Sequence, residues 1–254
     1  MGYNFMLRIS AVSYINAKPF VYGIEKSGFL KNYSLSLDIP SVCAEKLIKG
    51  KVDIGLAPVA IIPKLKKYFI LPDFCIGADG PVSSVMLYSE VPLKEIKRIY
   101  LDNESMTSVM LVQILAKKFW KINPEFISAK KGYEKKIKGT TAGVIIGDRN
   151  FSIKKKFTHA YDLSEQWKFF TGLPFVFACW ISNKKLDRRD KVSFFKAFNF
   201  GVDNIKMVVK QLKENQNRKR ISAYLNYSIH YHFDEPKRVA MELFLTLAKK
   251  TATV

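Results

Sequence analysis

The sequence predicts an α/β protein of two lobes, with two crossings between the lobes and a helical C-terminal tail. Three observations support this class. Short apolar runs alternate with helical patterns over the first 60 residues, the alternation restarts near residue 92, and helical patterns dominate after residue 182. Strand–helix–strand alternation is typical of a parallel sheet with helices on both faces. The chain has 254 residues, 48% of them hydrophobic, enough for one large core or two smaller ones.

The first lobe begins with an apolar run that ends at a serine. Leu7–Val12 predicts a strand, and Pro19 suits the first turn of the helix that follows. Ser41 suits a helix cap and Gly50 a helix stop. The next predicted elements are a strand at Leu35–Ile39, a helix at Ser41–Lys49 and a strand at Val52–Leu56.

A glycine- and proline-rich segment, Ile76–Ser83, predicts a turn before the pattern restarts. The later predicted strands are Ser84–Ser89, Arg98–Leu101, a short one near Phe126, Gly143–Ile146 and Phe175–Ile181. The predicted helices are Ser105–Phe119, Asp162–Phe170, Asp187–Asn199, Val202–Glu214, Arg218–Leu225 and Glu235–Lys249. We therefore expect one lobe of residues 1–90 and 179–254, a second of residues 91–178, and a ligand cleft between them.

The formal net charge of +20 favours an anionic ligand, because a positive field attracts anions. The basic runs are scattered and match no nucleic-acid motif, so no specific nucleic-acid partner is expected. The three cysteines lack metal spacing and are expected to be buried thiols in a reducing compartment. No apolar run is long enough to span a membrane, and no secretory signal pattern occurs at the start, so a cytoplasmic location is expected.

Polar clusters stand where predicted strands end and helices or loops begin. They are Ser13-Tyr14-Ile15-Asn16, Gly55-Leu56-Ala57-Pro58, Ser105-Met106-Thr107-Ser108 and Gly147-Asp148. Ligands of open α/β sheets bind outside the carboxyl ends of the strands, where helix N-termini present free N–H groups. Small hydroxyls at such positions add hydrogen-bond donors for an anion. These clusters therefore predict a carboxylate-binding site that needs no arginine.

Ordinary local roles compete with ligand binding in each cluster. One N-cap would suffice for the predicted helix at Ser105, and the three hydroxyls there favour carboxylate binding over capping alone. Asp148 fits a helix cap as well as a ligand contact, and Asn16 fits a turn. Ser83 and Ser84 fit the end of a strand with hydroxyls that face water. The sequence leaves these alternatives open.

Several kinds of chemistry lose support. The histidines are His159, His230 and His232, none of them in a polar cluster, and no third metal ligand accompanies the last two. The serine-hydrolase, P-loop and dinucleotide motifs GxSxG, GxxxxGK[ST] and GxGxxG are absent from the sequence. No metal and no organic cofactor is expected.

Six short motifs follow one another along the chain. They are SYINAKP at 13–19, VDIGLAPV at 52–59, IGADGPVSSV at 76–85, SMTSV at 105–109, IGD at 146–148, and DLSEQW with TGLPFVFA between 162 and 178. Together they resemble the chorismate dehydratase family, whose members catalyse the first step of the futalosine route to menaquinone. The resemblance implies a type II periplasmic-binding-protein-like fold used inside the cell. It also implies elimination of water from chorismate, a dicarboxylate, to give 3-[(1-carboxyvinyl)oxy]benzoate.

The resemblance and the polar clusters together give a set of site residues. The expected catalytic residues are Asn16, Ser84 and Asp148. The expected substrate-binding residues are Ser13, Tyr14, Pro58, Ser83, Ser105, Thr107, Ser108 and Gly147. The general base stays open between Asp148 and the enolpyruvyl carboxylate of the substrate.

One position departs from the family pattern, because Met106 stands where the family usually has arginine. Two alternatives to the dehydratase remain. One is a non-catalytic cytoplasmic anion-binding protein of the same fold. The other is the sister family dihydroxynaphthoate synthase, which uses a histidine base, and no histidine here lies near a matching motif. The sequence leaves a monomer or a dimer open.

Overall fold

The computed structural model describes residues 6–153, 157–212 and 217–252. The strands in chain order are β1 (Leu7–Val12), β2 (Tyr33–Asp38), β3 (Ile54–Pro58), β4 (Phe69–Ala78), β5 (Val85–Ser89), β6 (Arg98–Leu101), β7 (Glu125–Ser128), β8 (Thr141–Ile146), β9 (His159–Asp162), β10 (Phe175–Ser182) and β11 (His230–Phe233). The helices are α1 (Lys18–Lys26), α2 (Pro40–Ile48), α3 (Met106–Ile114), α4 (Leu163–Thr171), α5 (Arg188–Asp203), α6 (Ile205–Lys210), α7 (Arg218–Ala223) and α8 (Glu235–Ala252).

The chain forms two compact units, each with its own sheet. The first unit joins Met1–Gly77 to Ala178–Asp234, and the second joins Ala78–Phe177 to Glu235–Val254. This division departs from the expected one at two places. Residues 78–90 belong to the second unit because β5 is a strand of its sheet. The last helix belongs there because Phe244 of α8 packs edge-on against the rings of Trp167 and Phe175. The chain thus also passes between the units before α8.

Both sheets are mixed, whereas the sequence predicted parallel ones. In the first sheet the order is β11-β4-β10-β3-β1-β2. There β1 runs parallel to β2 and β3, while β10 and β11 pair in the antiparallel sense. In the second sheet the order is β7-β6-β8-β5-β9, with β6 parallel to β7 and β8 and with β5 antiparallel to β8 and β9.

Strand direction brings several strand ends to one edge of each sheet. In the first unit the parallel strands β1 and β3 end at the same edge, which we call the first carboxyl edge. In the second unit β6 and β8 end together. The register places Val85 opposite Ile146 and Met86 opposite Asp162, so β5 begins and β9 ends at that edge too. We call it the second carboxyl edge.

Most predicted elements are present within one or two residues of their predicted bounds, and a few differ. Helix α2 begins at Pro40, and Ile39 is its N-cap, so Ser41 lies within the first turn instead of capping the helix. Gly50 has a φ of 66° just after the helix, as a C-terminal stop requires. The end of the predicted helix Val202–Glu214 lies outside the described residues.

Three strands were not predicted as such. The segment Ile76–Ser83 predicted a turn, but its first residues close the long strand β4. The edge strands β9 and β11 are only four residues long, and β11 lies between the predicted helices Arg218–Leu225 and Glu235–Lys249. A strand of four residues is too short for sequence periodicity alone to establish it.

Helices α1 and α5 pack at two glycines of the first unit. A methyl group at Gly23 would lie 1.9 Å from the carbonyl oxygen of Ala197, and one at Gly201 would lie 1.9 Å from that of Pro19. Only residues without a Cβ allow the two backbones to come so close. Because α1 starts directly after the 3₁₀ turn Ile15–Ala17, this packing also fixes where Asn16 lies.

The three cysteines are buried thiols, as expected. Cys43 lies in the first unit, where its Sγ is 3.0 Å from the carbonyl oxygen of Leu56. Burial raises the pKa of the Cys43 thiol to about 12. This thiol therefore stays protonated and acts as a small core residue.

Candidate functional site

The second carboxyl edge gathers the predicted residues of the second unit. The N–H of Gly147 donates to the carbonyl oxygen of Ser84 at 2.8 Å, and Asn150 Nδ2 donates to the same oxygen at 3.0 Å. Ser84 is thus in direct contact with Gly147, a predicted site residue far from it in the sequence. Ser84 is buried at this junction.

The three hydroxyls at the start of α3 are all buried, with exposed fractions of 8% for Ser105, 0% for Thr107 and 1% for Ser108. Ser105 is the N-cap, and its Oγ accepts from the N–H of Ser108 at 3.3 Å. The hydroxyl of Ser108 donates to the same Oγ at 3.1 Å. Capping, the alternative to ligand binding, is therefore a role that Ser105 does fill. Met106 lies half-buried in the first turn of the helix.

Gly147 and Asp148 open a short 3₁₀ helix, Gly147–Phe151, directly after β8. Gly147 has a φ of 65°, a conformation that favours glycine. The N-cap of this helix is Ile146, so Asp148 lies in the first turn and is not the cap that the sequence allowed. Asp148 is half-buried.

One buried carboxylate holds the turn that carries Ser83. Oδ2 of Asp162 accepts from the N–H groups of Val82 at 2.8 Å and Ser83 at 2.6 Å. Oδ1 accepts from Ser164 and Glu165, which makes Asp162 the N-cap of α4. Burial raises the pKa of Asp162, and the four N–H donors oppose that shift. Ser83 itself is exposed and has a φ of 62°. The hydrogen bonds from the N–H groups of Val82 and Ser83 to Asp162 stabilise this conformation.

Sequence reasoning missed a charged cluster at the same edge. Asp102, at the end of β6, is buried, and its Oδ2 accepts from Arg149 Nη2, from Tyr133 Oη at 3.0 Å and from the N–H of Ile146 at 3.3 Å. Its Oδ1 accepts from the N–H of Glu104 at 3.1 Å. The partners lie 31 to 47 residues away in sequence, apart from Glu104, so no local pattern could reveal the cluster.

The environment of this cluster shifts two pKa values upward. Burial raises the pKa of Asp102, while Arg149 and the hydrogen bonds to the carboxylate act in the opposite direction. Burial and then the charge of Asp102 raise the pKa of the Tyr133 hydroxyl. Tyr133 therefore acts as a neutral donor that ties the cluster to β8, where the carbonyl oxygen of Val144 is its second acceptor.

The first carboxyl edge gathers the remaining predicted residues. Ser13 is exposed directly after β1, and Tyr14 is the N-cap of the 3₁₀ turn Ile15–Ala17. Asn16 lies within that turn, as the alternative interpretation allowed, and its carbonyl oxygen accepts from Tyr231 Oη at 3.0 Å. Its side-chain Oδ1 is buried and has no hydrogen-bond partner among the described residues. Pro58, at the end of β3, is buried.

One histidine lies away from the second carboxyl edge, and the other two flank Tyr231, whose hydroxyl bonds the carbonyl oxygen of Asn16. His159 pairs with Ser89 at the opposite end of β9 from Asp162. His230 and His232 lie on β11, the edge strand of the first sheet. Within the described ranges, no group of three or more His, Cys, Asp and Glu residues has a geometry that could hold a metal ion.

A family model described as menaquinone biosynthesis matches residues 7–250. The chain belongs to this menaquinone biosynthesis family. Among its relatives, a protein named chorismate dehydratase from Thermus thermophilus is 24% identical over 252 residues, which covers 91% of each chain. The family resemblance found in the sequence motifs is thus confirmed.

Solved structures confirm the fold class. A crystal structure of a protein from Archaeoglobus fulgidus matches with a TM-score of 0.76 at 12% identity and covers all of both chains. The periplasmic aliphatic sulphonate binding protein SsuA from Escherichia coli matches with a TM-score of 0.62 at 13% identity, covering 98% of this chain and 93% of its own. This member of the menaquinone biosynthesis family therefore has the periplasmic-binding-protein-like fold. No described helix is long and apolar enough to cross a membrane.

Proposed function

We propose that this protein is a chorismate dehydratase, a lyase that removes water from chorismate to give 3-[(1-carboxyvinyl)oxy]benzoate in the cytoplasm. Membership of the menaquinone biosynthesis family and the name of the Thermus relative support this activity. The observation that carries it is the convergence of Ser84, Gly147 and the start of α3 at one sheet edge. A helix start that carries hydroxyls suits a carboxylate, because the N-terminal end of a helix has partial positive charge.

The reaction removes the proton at ring C3 and the hydroxyl at C4, and the product ring is aromatic. Aromaticity provides the driving force, so the protein chiefly has to lower the barrier to proton loss. Charge that develops at C3 spreads through the ring onto the ring carboxylate. Donors fixed around that carboxylate therefore stabilise the transition state more than the ground state.

We assign the donor role in the second unit to the hydroxyls of Ser105 and Thr107. Ser108 positions Ser105, because the Ser108 hydroxyl donates its single proton to Ser105 Oγ. Their burial and the bond between the Ser105 and Ser108 hydroxyls hold them in fixed positions. Preorganised donors cost no rearrangement when the charge develops. Ser83, Ser84 and Gly147 lie at the same edge and are assigned to substrate orientation.

In the first unit we assign orientation of the other carboxylate and of the leaving hydroxyl to Ser13, Tyr14, Asn16 and Pro58. Oδ1 of Asn16, which has no hydrogen-bond partner within the described part of the chain, supports this role. A buried acceptor without a donor costs about 1–3 kcal/mol, so a donor group of a ligand is favoured there. The C4 hydroxyl of chorismate is such a donor.

The hydroxyl of Thr107 provides a test of the carboxylate assignment. Thr107→Val keeps the shape of the side chain but removes its donor, and we expect kcat/KM for chorismate to fall by roughly ten- to a thousandfold, the effect of losing one preorganised donor. Thr107→Ser should recover most of the rate. The matched control is Thr251→Val, which removes a hydroxyl that bonds the carbonyl oxygen of Leu247 on α8. Unchanged kinetics in Thr107→Val would remove this residue from the site.

Asp148 and the enolpyruvyl carboxylate of the substrate compete for the role of base. If the substrate carboxylate takes the proton, Asp148→Asn should keep kcat within about threefold of wild type. If Asp148 is the base, the same variant should lose activity by roughly a hundredfold or more, the usual contribution of a positioned base. Steady-state rates of purified Asp148→Asn, with folding checked by circular dichroism, decide between them.

Two alternatives predict different behaviour with the same substrate. A pure anion-binding protein of this fold would bind chorismate without forming product, so a thermal shift alone would not separate it from an enzyme. A new aromatic absorbance that grows at a rate proportional to protein concentration would identify the protein as an enzyme. The sister synthase needs a histidine base, and none of the three histidines lies within a matching sequence motif, which favours the dehydratase.

A further inference from the structure

An arginine and three carboxylates form a charged cluster beside the proposed substrate residues of the second unit. Arg149 pairs with Asp102, lies 2.9 Å from Glu134 Oε1 through Nη1, and lies 3.7 Å from Glu104 Oε2 through Nη2. Arg149 directly follows Asp148 in the chain, and Glu104 directly precedes Ser105. The cluster is therefore one residue away from two proposed parts of the site.

The charge of this cluster conflicts with an anionic substrate. One guanidinium and three carboxylates sum to −2 when all are ionised, and loss of the guanidinium would leave −3. Asp102 is buried, so water screens its charge poorly. Arg149 is the cation in contact with all three acidic groups.

We infer that Arg149 determines the affinity of the second unit for a dicarboxylate, by offsetting the charges of Asp102, Glu104 and Glu134 beside the start of α3. The inference rests on the proposed function. Arg149 acts through these neighbours, so it is a positioning and specificity residue and not a catalytic one. Its guanidinium also holds Asp102, which in turn accepts from the backbone N–H of Glu104 and of Ile146, where two of the proposed substrate segments begin.

Arg149→Met removes the cation and keeps much of the side-chain length. We expect KM for chorismate to rise by roughly ten- to a hundredfold, because the added repulsion weakens binding of the dianion. We expect kcat to fall as well, because the charge that develops on the ring carboxylate meets the same repulsion. Arg149→Lys should keep KM within about fivefold of wild type, since it retains the charge. The matched control is Arg98→Met, which removes an exposed arginine at the other end of β6.

A second set of variants separates charge from folding. Glu104→Gln combined with Glu134→Gln should lower KM in the otherwise wild-type chain. In the Arg149→Met background the same pair should bring KM back toward the wild-type value. A purely structural role of Arg149 would not be rescued in this way, because the two glutamines cannot restore its hydrogen bonds.

Raised KM in Arg149→Met together with the rescue supports the inference. If the wild-type protein is active and Arg149→Met has an unchanged KM, the inference is overturned and the proposed function stands. If Arg149→Met does not fold, an unchanged or raised KM in the double glutamine variant overturns the inference. If the wild type leaves chorismate unchanged, the proposed function fails and the inference fails with it.

Discussion

Asn16→Ala is expected to lower kcat/KM for chorismate by roughly ten- to a thousandfold without unfolding the protein, the range for losing one preorganised polar group. The reason is the side-chain Oδ1, a buried acceptor with no hydrogen-bond partner among the described residues. Such an atom raises the free energy of the unliganded state unless a ligand or water donates to it. Removing the carboxamide should therefore cost catalysis while costing little stability. Steady-state kinetics and thermal melting of the purified variant provide the two measurements.

The backbone contact of Asn16 makes this test specific. Its carbonyl oxygen accepts from Tyr231, and that bond survives the substitution, so the turn should keep its position. The matched control is Asn199→Ala on α5, whose side chain bonds Asp203 at 2.6 Å in the same unit. Wild-type kinetics in Asn16→Ala, or an equal loss in Asn199→Ala, would refute the assignment.

Gly201→Ala is expected to destabilise the first unit by about 3 kcal/mol, near the upper end of the usual cost of overpacking. The added methyl group would lie 1.9 Å from the carbonyl oxygen of Pro19, so α1 and α5 would have to separate. The higher helix propensity of alanine returns only about 1 kcal/mol. Because α1 follows the turn that contains Asn16, the variant should lose activity as well as stability.

Chemical denaturation followed by circular dichroism measures the change in the free energy of unfolding. Lys191→Ala, an exposed position on the same helix, is the control and should shift that free energy by less than about 0.5 kcal/mol. Gly23→Ala places a methyl group 1.9 Å from the carbonyl oxygen of Ala197 and should behave like Gly201→Ala. A Gly201→Ala protein as stable as wild type would mean that the two helices are not packed as described.

The strands and helices were predictable where one physical signal dominated. Leu7–Val12 and Arg98–Leu101 are strands with the predicted bounds because their sequences are short apolar runs between clear stops. Ser41 was predicted as a cap, but Pro40 suits the first turn better and shifts the helix start. The placement of α8 in the second unit depends on contacts of Phe244 with distant aromatic rings, which no local pattern encodes.

The candidate site likewise has parts that could be predicted from the sequence and parts that could not. The sequence predicted that Gly147 and the Ser105–Ser108 segment would each follow the end of a strand, and in the structure they follow the parallel strands β8 and β6. The contact of Ser84 with Gly147 depends on the antiparallel pairing of β5 with β8, which was not predicted. The bond between the Ser105 and Ser108 hydroxyls could not be predicted, because it depends on side-chain orientation within the first turn. The pairing of Arg149 with Asp102 spans 47 residues and leaves no periodic signal.

The most direct test of the central claim is incubation of the purified full-length protein with chorismate, followed by mass spectrometry. The proposed activity predicts a product lighter than chorismate by one water, formed without added metal or cofactor, at a rate proportional to protein concentration and strongly reduced in Asn16→Ala. Chorismate that stays intact while it binds and stabilises the protein would contradict the enzyme assignment and indicate an anion-binding protein of this fold.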